Sequence, residues 1–211
     1  MLEDDPIVFI VDDDDSVRKA LTRLINSVGL NVETFASARD FLKRQPHNGP
    51  ACLVLDIRMP GLSGLDLQDE LVAAGRTLPI IFISGHGSIP ISVRAMKAGA
   101  VDFIEKPFED QTLLDGINQS LKKDRQAKLE QAELREIQRR VDSLTPRERE
   151  VFVHVVSGKL NKHIAFELGT SERTIKAHRA RVMKKMQANS LADLIRLAEK
   201  AGPYLARIFH E

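Results

Sequence analysis

Cysteine is nearly absent from these 211 residues: Cys52 is the only one, so no internal disulfide can form. It sits in the apolar run Ala51-Cys52-Leu53-Val54-Leu55 and reads as a core residue of a buried strand. No apolar run reaches the roughly 18 residues a membrane-spanning helix needs, so no membrane span is expected. The start lacks the basic, then apolar character of a signal peptide. Met1 leads instead into Leu2-Glu3-Asp4-Asp5, so a cytoplasmic protein is expected. Internal repeats and low-complexity tracts are missing too. What remains is 43% hydrophobic and 29% charged, a composition that suits a globular chain of one large or two small domains.

The net charge of +1 hides an asymmetry. Residues 1–143 carry 18 Lys and Arg against 23 Asp and Glu, while residues 144–211 carry 13 against 7. A basic C-terminal portion is the electrostatic footprint expected for a polyanionic partner.

The first half alternates short apolar runs with amphipathic stretches. Strands are expected at 7–11, 32–35, 53–55, 79–83 and 101–104. Helices are expected at 16–28, 38–44, 65–74, 89–98 and 109–121. Five β-α units in succession predict an α/β doubly wound domain: one parallel five-stranded sheet with helices on both faces. In such folds the functional crevice lies at the carboxyl ends of the strands.

Asp12 and Asp13 stand at the end of the first strand and Asp56 at the end of the third. Three carboxylates on one edge repel unless a cation offsets them. Mg²⁺, a hard ion that takes oxygen ligands, suits the place when phosphate is also present. Ser84 follows the fourth strand and Lys106 the fifth, a hydroxyl and an ammonium suited to phosphoryl oxygens. Nucleophile, metal and positive clamp together fit phosphoryl transfer to a carboxylate. Asp14 and Asp15 extend the acidic run but fit better as caps of the first helix. His86 fits no acid-base role and reads as a loop residue. The phosphatase-like D-x-D pattern of Asp13-Asp14-Asp15 offers another route to an aspartyl phosphate. It lacks a cap domain and a later acidic metal loop, and it leaves Asp56 and the basic C-terminus unexplained.

Residues 122–143 lack Gly and Pro and are dense in charge, as a helical linker would be; Lys123 and Glu130 interrupt their heptad spacing. The last third reads as four helices: 146–157, 161–168, 172–186 and 190–201. Thr145, Ser171 and Ser190 are N-cap residues, and Glu148 stands at capping-box spacing. Two short helices about Gly169 give a helix-turn-helix layout. On the second, Ile175, Val182 and Met186 form the apolar stripe. Arg173, Lys176, Ala177, Ala180 and Lys184 form the opposite side. The two alanines allow close approach to base edges. Arg173, Lys176 and Lys184 can contact bases or phosphates, whereas Lys162, Thr174, Arg179 and Arg181 are expected to grip phosphates. His178 and Met183 read as packing residues.

The first half closely resembles the receiver domain of two-component response regulators. The resemblance rests on Val11-Asp12-Asp13, Leu55-Asp56-Ile57-Arg58-Met59-Pro60-Gly61, Ser84-Gly85-His86-Gly87 and Glu105-Lys106-Pro107-Phe108. The stretch 95–103 resembles the FixJ branch in particular. Leu144-Thr145-Pro146-Arg147-Glu148, Asn161-Lys162-His163-Ile164-Ala165 and residues 171–178 resemble the LuxR/NarL helix-turn-helix. The resemblance implies a receiver at 1–121, a linker at 122–143 and a DNA-binding domain at 144–211. It implies phosphorylation of Asp56 by a sensor histidine kinase. Mg²⁺ or Mn²⁺ would be held by Asp12, Asp13, Asp56 and the Arg58 carbonyl. Ser84 and Lys106 would contact the phosphoryl oxygens, Phe103 would switch rotamer, and Lys106-Pro107 would be cis. The implied partners are the kinase, promoter DNA, RNA polymerase and a second copy of the chain on phosphorylation. The implied function is transcription regulation, with activation expected, and not turnover of an external substrate. Protein-interaction output is a competing role for the last four helices, disfavoured by their basic charge. A small-molecule sensor is excluded because the receiver pattern occupies its place.

Overall fold

The computed structural model describes residues 5–85, 89–202 and 204–205. The acidic start at Leu2-Glu3-Asp4, His86 and Gly87 of the motif after the fourth strand, and Pro203 lie outside them.

The chain divides into two compact units, Met1–Lys128 and Leu129–Glu211. The first unit holds β1 (Ile7–Val11), α1 (Asp15–Ser27), β2 (Asn31–Phe35), α2 (Ala38–Leu42), β3 (Ala51–Asp56), α3 (Gly64–Ala73), β4 (Ile80–Ser84), α4 (Ile89–Lys97) and β5 (Asp102–Glu105). All strand pairs are parallel, in the order β2-β1-β3-β4-β5. The expected doubly wound sheet is therefore present. Its order reverses between β1 and β3, which places the ligand crevice at the ends of those two strands.

Strand alternation separates two cores. Phe9, Val11, Leu53, Leu55 and Phe82 face Phe41 of α2, Leu67 and Leu71 of α3 and Ala95 of α4. Val8, Ile10, Cys52, Val54, Ile81 and Ile83 face Leu21 and Ile25 of α1 and Leu113, Ile117 and Leu121 of the next helix. The central strands are buried on both faces, which explains their continuous apolar runs. Cys52 is fully buried in the second of these cores, and burial pushes its thiol up, away from thiolate chemistry.

The next helix, α5 (Asp110–Asp142), is continuous over 33 residues. Strong helix formers without Gly or Pro fill its latter part, and Asp124–Lys128 and Glu136–Arg140 form i,i+4 ion pairs at 2.9 Å each. Within the first unit, buried Asp124 accepts the amide of Ala51, the first residue of β3, at 2.8 Å. Lys128 donates to the carbonyls of His47 and Gly49.

The second unit contains α6 (Pro146–Val156), α7 (Asn161–Glu167), α8 (Glu172–Met186) and α9 (Leu191–Lys200). Val151, Phe152, Ile164, Ile175, Val182, Met186 and Leu194 form its core with Ile137 and Val141 of α5. Thr145, Ser171 and Ser190 cap α6, α8 and α9 through their side chains. Glu148 completes a capping box by accepting the Thr145 amide at 2.9 Å, and it also takes an ammonium hydrogen bond from Lys185 of α8 at 2.6 Å. Burial pushes the Glu148 carboxyl up, but Lys185 and Thr145 outweigh burial and hold it below the ordinary range. A carboxyl lowered by folding stabilises the fold above its unfolded value and loses that contribution as pH falls through its folded value. Glu148→Ala is therefore expected to cost about 1–3 kcal/mol at neutral pH, and less in acid. Hydrogen exchange of α6 and α8 amides reads the loss; equal exchange in both proteins at pH 7 contradicts it.

Candidate functional site

The crevice between β1 and β3 gathers the ionisable residues picked out by strand position. Asp12 directly follows β1 and Asp56 closes β3; they are 1% and 7% exposed. The Lys106 ammonium lies 2.9 Å from Asp12 Oδ2 and 2.9 Å from Asp56 Oδ1. The remaining carboxylate oxygens are also engaged. Asp12 Oδ1 accepts the Asp14 amide at 2.9 Å, and Asp56 Oδ2 accepts the Arg58 amide at 2.7 Å.

Burial pushes the Asp56 carboxyl above its ordinary range, against the pull of Lys106 and with the Asp12 charge adding to the rise. Burial works against the charge on Lys106, but its bonds to Asp12 and Asp56 prevail and hold it above the usual lysine value. Removing Lys106 from this buried set leaves two carboxylates uncompensated.

Ser84 ends β4, buried, and its carbonyl accepts the Lys106 amide at 2.8 Å. Phe103 lies beside Phe82 in register on β5, half-buried against the α3/α4-side core. The Lys106-Pro107 peptide is cis. Asp13 is exposed at the mouth of the crevice. Asp14 caps α1 by accepting the Ser16 amide at 2.7 Å, and Asp15 pairs with Arg18 and Lys19 on its first turn.

Among the described residues, no three His, Cys, Asp or Glu side chains converge as a metal cage. Asp12 and Asp56 do converge, and Mg²⁺ commonly binds through one or two carboxylates while keeping several waters. The oxygen donors present therefore fit such an ion. One contact had no mark in the sequence: Arg18 donates to the Asp12 carbonyl at 2.7 Å and so braces the acidic turn from α1.

In the second unit, α8 exposes Arg173, Lys176, Ala177, Ala180, Arg181 and Lys184, while Ile175, Val182 and Met186 face the core. Lys162 is exposed on α7. Arg173, Lys176, Arg181, Lys184 and Lys162 make no ion pair among the described residues. Two of the expected phosphate contacts are partly committed elsewhere. Arg179 is half-buried and donates to Asn161 Oδ1 at 3.1 Å, and the Thr174 hydroxyl lies 2.9 Å from that of Ser171. His178 is half-buried, its Nδ1 buried and without a hydrogen-bond partner among the described residues, and Met183 packs against the core.

Two family models match: the response regulator receiver domain over residues 8–118 and the luxR family of bacterial regulatory proteins over residues 142–198. Nodulation protein W of Bradyrhizobium diazoefficiens is 51% identical over 196 residues, 93% of this chain and 86% of that protein. Response regulator protein TmoT of Ectopseudomonas mendocina is 46% identical over 200 residues, 95% and 91% of the two chains. Among solved structures, response regulator StyR is 49% identical with a TM-score of 0.84, over 93% of this chain and 99% of its own. Full-length FixJ from B. japonicum is 44% identical with a TM-score of 0.56, over 93% and 97%. Receiver domains generally bind Mg²⁺ at the phosphorylation site. The chain thus belongs to the FixJ-like two-component response regulators, which join a receiver to a luxR-type DNA-binding domain and act as transcription regulators, not as turnover enzymes.

Proposed function

We propose that phosphorylation of Asp56 by a sensor histidine kinase switches this chain to bind promoter DNA and activate transcription through RNA polymerase. The observation that carries this is the Lys106 ammonium held 2.9 Å from both Asp12 and Asp56 at the β1/β3 crevice. An Asp56 carboxylate oxygen attacks phosphorus; the new O–P bond forms as the P–N bond to the kinase histidine breaks, and the imidazole leaves. Lys106 and the Ser84 hydroxyl take the phosphoryl oxygens. Asp12, Asp13, Asp56 and the Arg58 carbonyl would hold Mg²⁺ or Mn²⁺, directly or through water, offsetting the phosphoryl charge. Movement of Ser84 toward the phosphoryl group opens room for Phe103 to turn inward.

Residues 1–121 act as receiver, 122–143 as connector and 144–211 as DNA-binding domain, in the cytoplasm and without a membrane partner. Phosphorylation drives homodimerisation through α4 and β5. The exposed apolar side chains of Ile89, Val93 and Met96 on α4 support that face. Release of a covered recognition helix is the competing switch. Intact mass after incubation with acetyl phosphate and Mg²⁺ tests the acceptor: one phosphate per chain is expected, and rapid catalytic turnover of the acetyl phosphate with no phosphorylated chain overturns the assignment.

Lys162, Arg173, Thr174, Lys176, Ala177, Arg179, Ala180, Arg181 and Lys184 form the DNA surface. Lys176→Ala is expected to weaken binding to the specific site by about 1–3 kcal/mol with little change on random DNA. Arg181→Ala is expected to weaken both and to flatten the salt slope by roughly one unit. Anisotropy titrations at several salt concentrations separate them. Equal losses on both DNAs for Lys176→Ala contradict its base contact.

A further inference from the structure

Several glycines of the first unit are called for by backbone conformation. Gly29, Gly61, Gly75 and Gly99 have positive φ and open space where a Cβ would stand. Gly64 is the reverse. It opens α3 with no positive φ, a conformation any residue adopts, and alanine would favour the helix more. Space is what forbids it. A Cβ on Gly64 would lie 2.3 Å from the carbonyl oxygen of Asp56 and 3.1 Å from both Asp56 C and Ile57 Cα. All three atoms are backbone, so no flexible side chain can yield.

The contact is fixed from several directions. The Gly64 amide donates to the Ile57 carbonyl at 3.0 Å, and the Ile57 amide donates to the Ile83 carbonyl of β4 at 3.3 Å. Ser63 and Asp66 form a capping box that pins the first turn of α3. Leu65, Leu67 and Leu71 bury the helix in the core. The first turn of α3 is thus a wall against the peptide that carries the acceptor carboxylate. At the side chain of that residue, the Arg58 amide holds Asp56 Oδ2 and Lys106 holds Oδ1.

We propose that Gly64 is a positioning residue for phosphoryl transfer: its missing side chain lets α3 abut the Asp56 backbone and set where the acceptor carboxylate stands. A methyl at Gly64 must displace α3 or the Asp56 peptide by about 1 Å. A misplacement of that size at a reacting group can cost on the order of 100-fold in rate. The inference rests on Asp56 being the phosphoacceptor.

The test uses the full chain with acetyl phosphate and Mg²⁺. Wild type and Asp56→Asn come first, since an unmodified wild type or a modified Asp56→Asn would refute the acceptor assignment without bearing on Gly64. With the acceptor established, Gly64→Ala is expected to form acyl phosphate about 10–100-fold more slowly at saturating phosphodonor. The Arg58 amide resonance should shift and exchange faster, because its acceptor on Asp56 has moved. Gly116→Ala, inside α5, places its methyl at an ordinary 3.4 Å from Ile81 Cδ1 and should keep the wild-type rate. If Gly64→Ala does not fold, one glycine inserted between Leu62 and Ser63 in that variant lets α3 withdraw. The expected product is folded but still slow. A folded Gly64→Ala, or its insertion form, that is phosphorylated within about twofold of wild type overturns the proposal. So does slow phosphorylation with an unchanged Arg58 amide, which would mark general loosening.

Discussion

Asp56→Asn is expected to form no acyl phosphate, either from a cognate kinase or from acetyl phosphate. Asparagine keeps the shape and an acceptor for the Arg58 amide but lacks an anionic nucleophile, and it removes the charge that Lys106 holds at 2.9 Å. Fold stability should hold or rise, since one of two mutually repelling buried carboxylates is gone. Mass analysis after exposure to phosphodonor reads the result. Modification at the wild-type rate would move the acceptor elsewhere.

The second large effect lies at the other end of the same strand. Asp124→Ala is expected to destabilise the first unit by about 2–3 kcal/mol. The substitution leaves the Ala51 amide, at the start of β3, without its acceptor and the Lys128 ammonium, on α5, without its counter-charge. Lys128 is one-third exposed, which keeps the effect below that of a fully buried pair. Asp124→Asn, which can still accept the Ala51 amide, should lose less. Urea denaturation followed by hydrogen exchange at β3 measures both. Stability within about 0.5 kcal/mol of wild type for Asp124→Ala would show that the pair contributes nothing.

The sheet was legible in the sequence because apolar runs bounded by polar residues specify strands without reference to anything distant. Given the sheet, Asp12, Asp56, Ser84 and Lys106 fall at one edge simply by ending their strands. Capping residues were equally local: Asp14, Thr145, Ser171 and Ser190 each act on a backbone amide two or three residues away. Other contacts join residues with no sequence relation, so no local pattern marks them. Asp124 looks like one more charge in a solvated helix until β3 is placed beneath it. Arg18 looks like a surface arginine until α1 turns it onto the Asp12 carbonyl. Gly64 looks like a helix-start glycine until the Asp56 carbonyl lies against it. Arg58 is similar: its amide bond to Asp56 has no mark in the local sequence pattern. On α8, periodicity separated core from outer face. It could not show that Arg179 spends part of its reach on Asn161.

Control of DNA binding by a phosphoryl group on Asp56, as proposed above, is measured on the whole chain. DNA affinity of the full chain is titrated with and without acetyl phosphate, for wild type and Asp56→Asn, on fragments selected from a random pool, with sedimentation in parallel. Wild type should bind specific DNA at least about tenfold more tightly when phosphorylated and sediment as a dimer, while Asp56→Asn stays at the resting affinity. Equal affinity of phosphorylated and resting wild type would contradict the account.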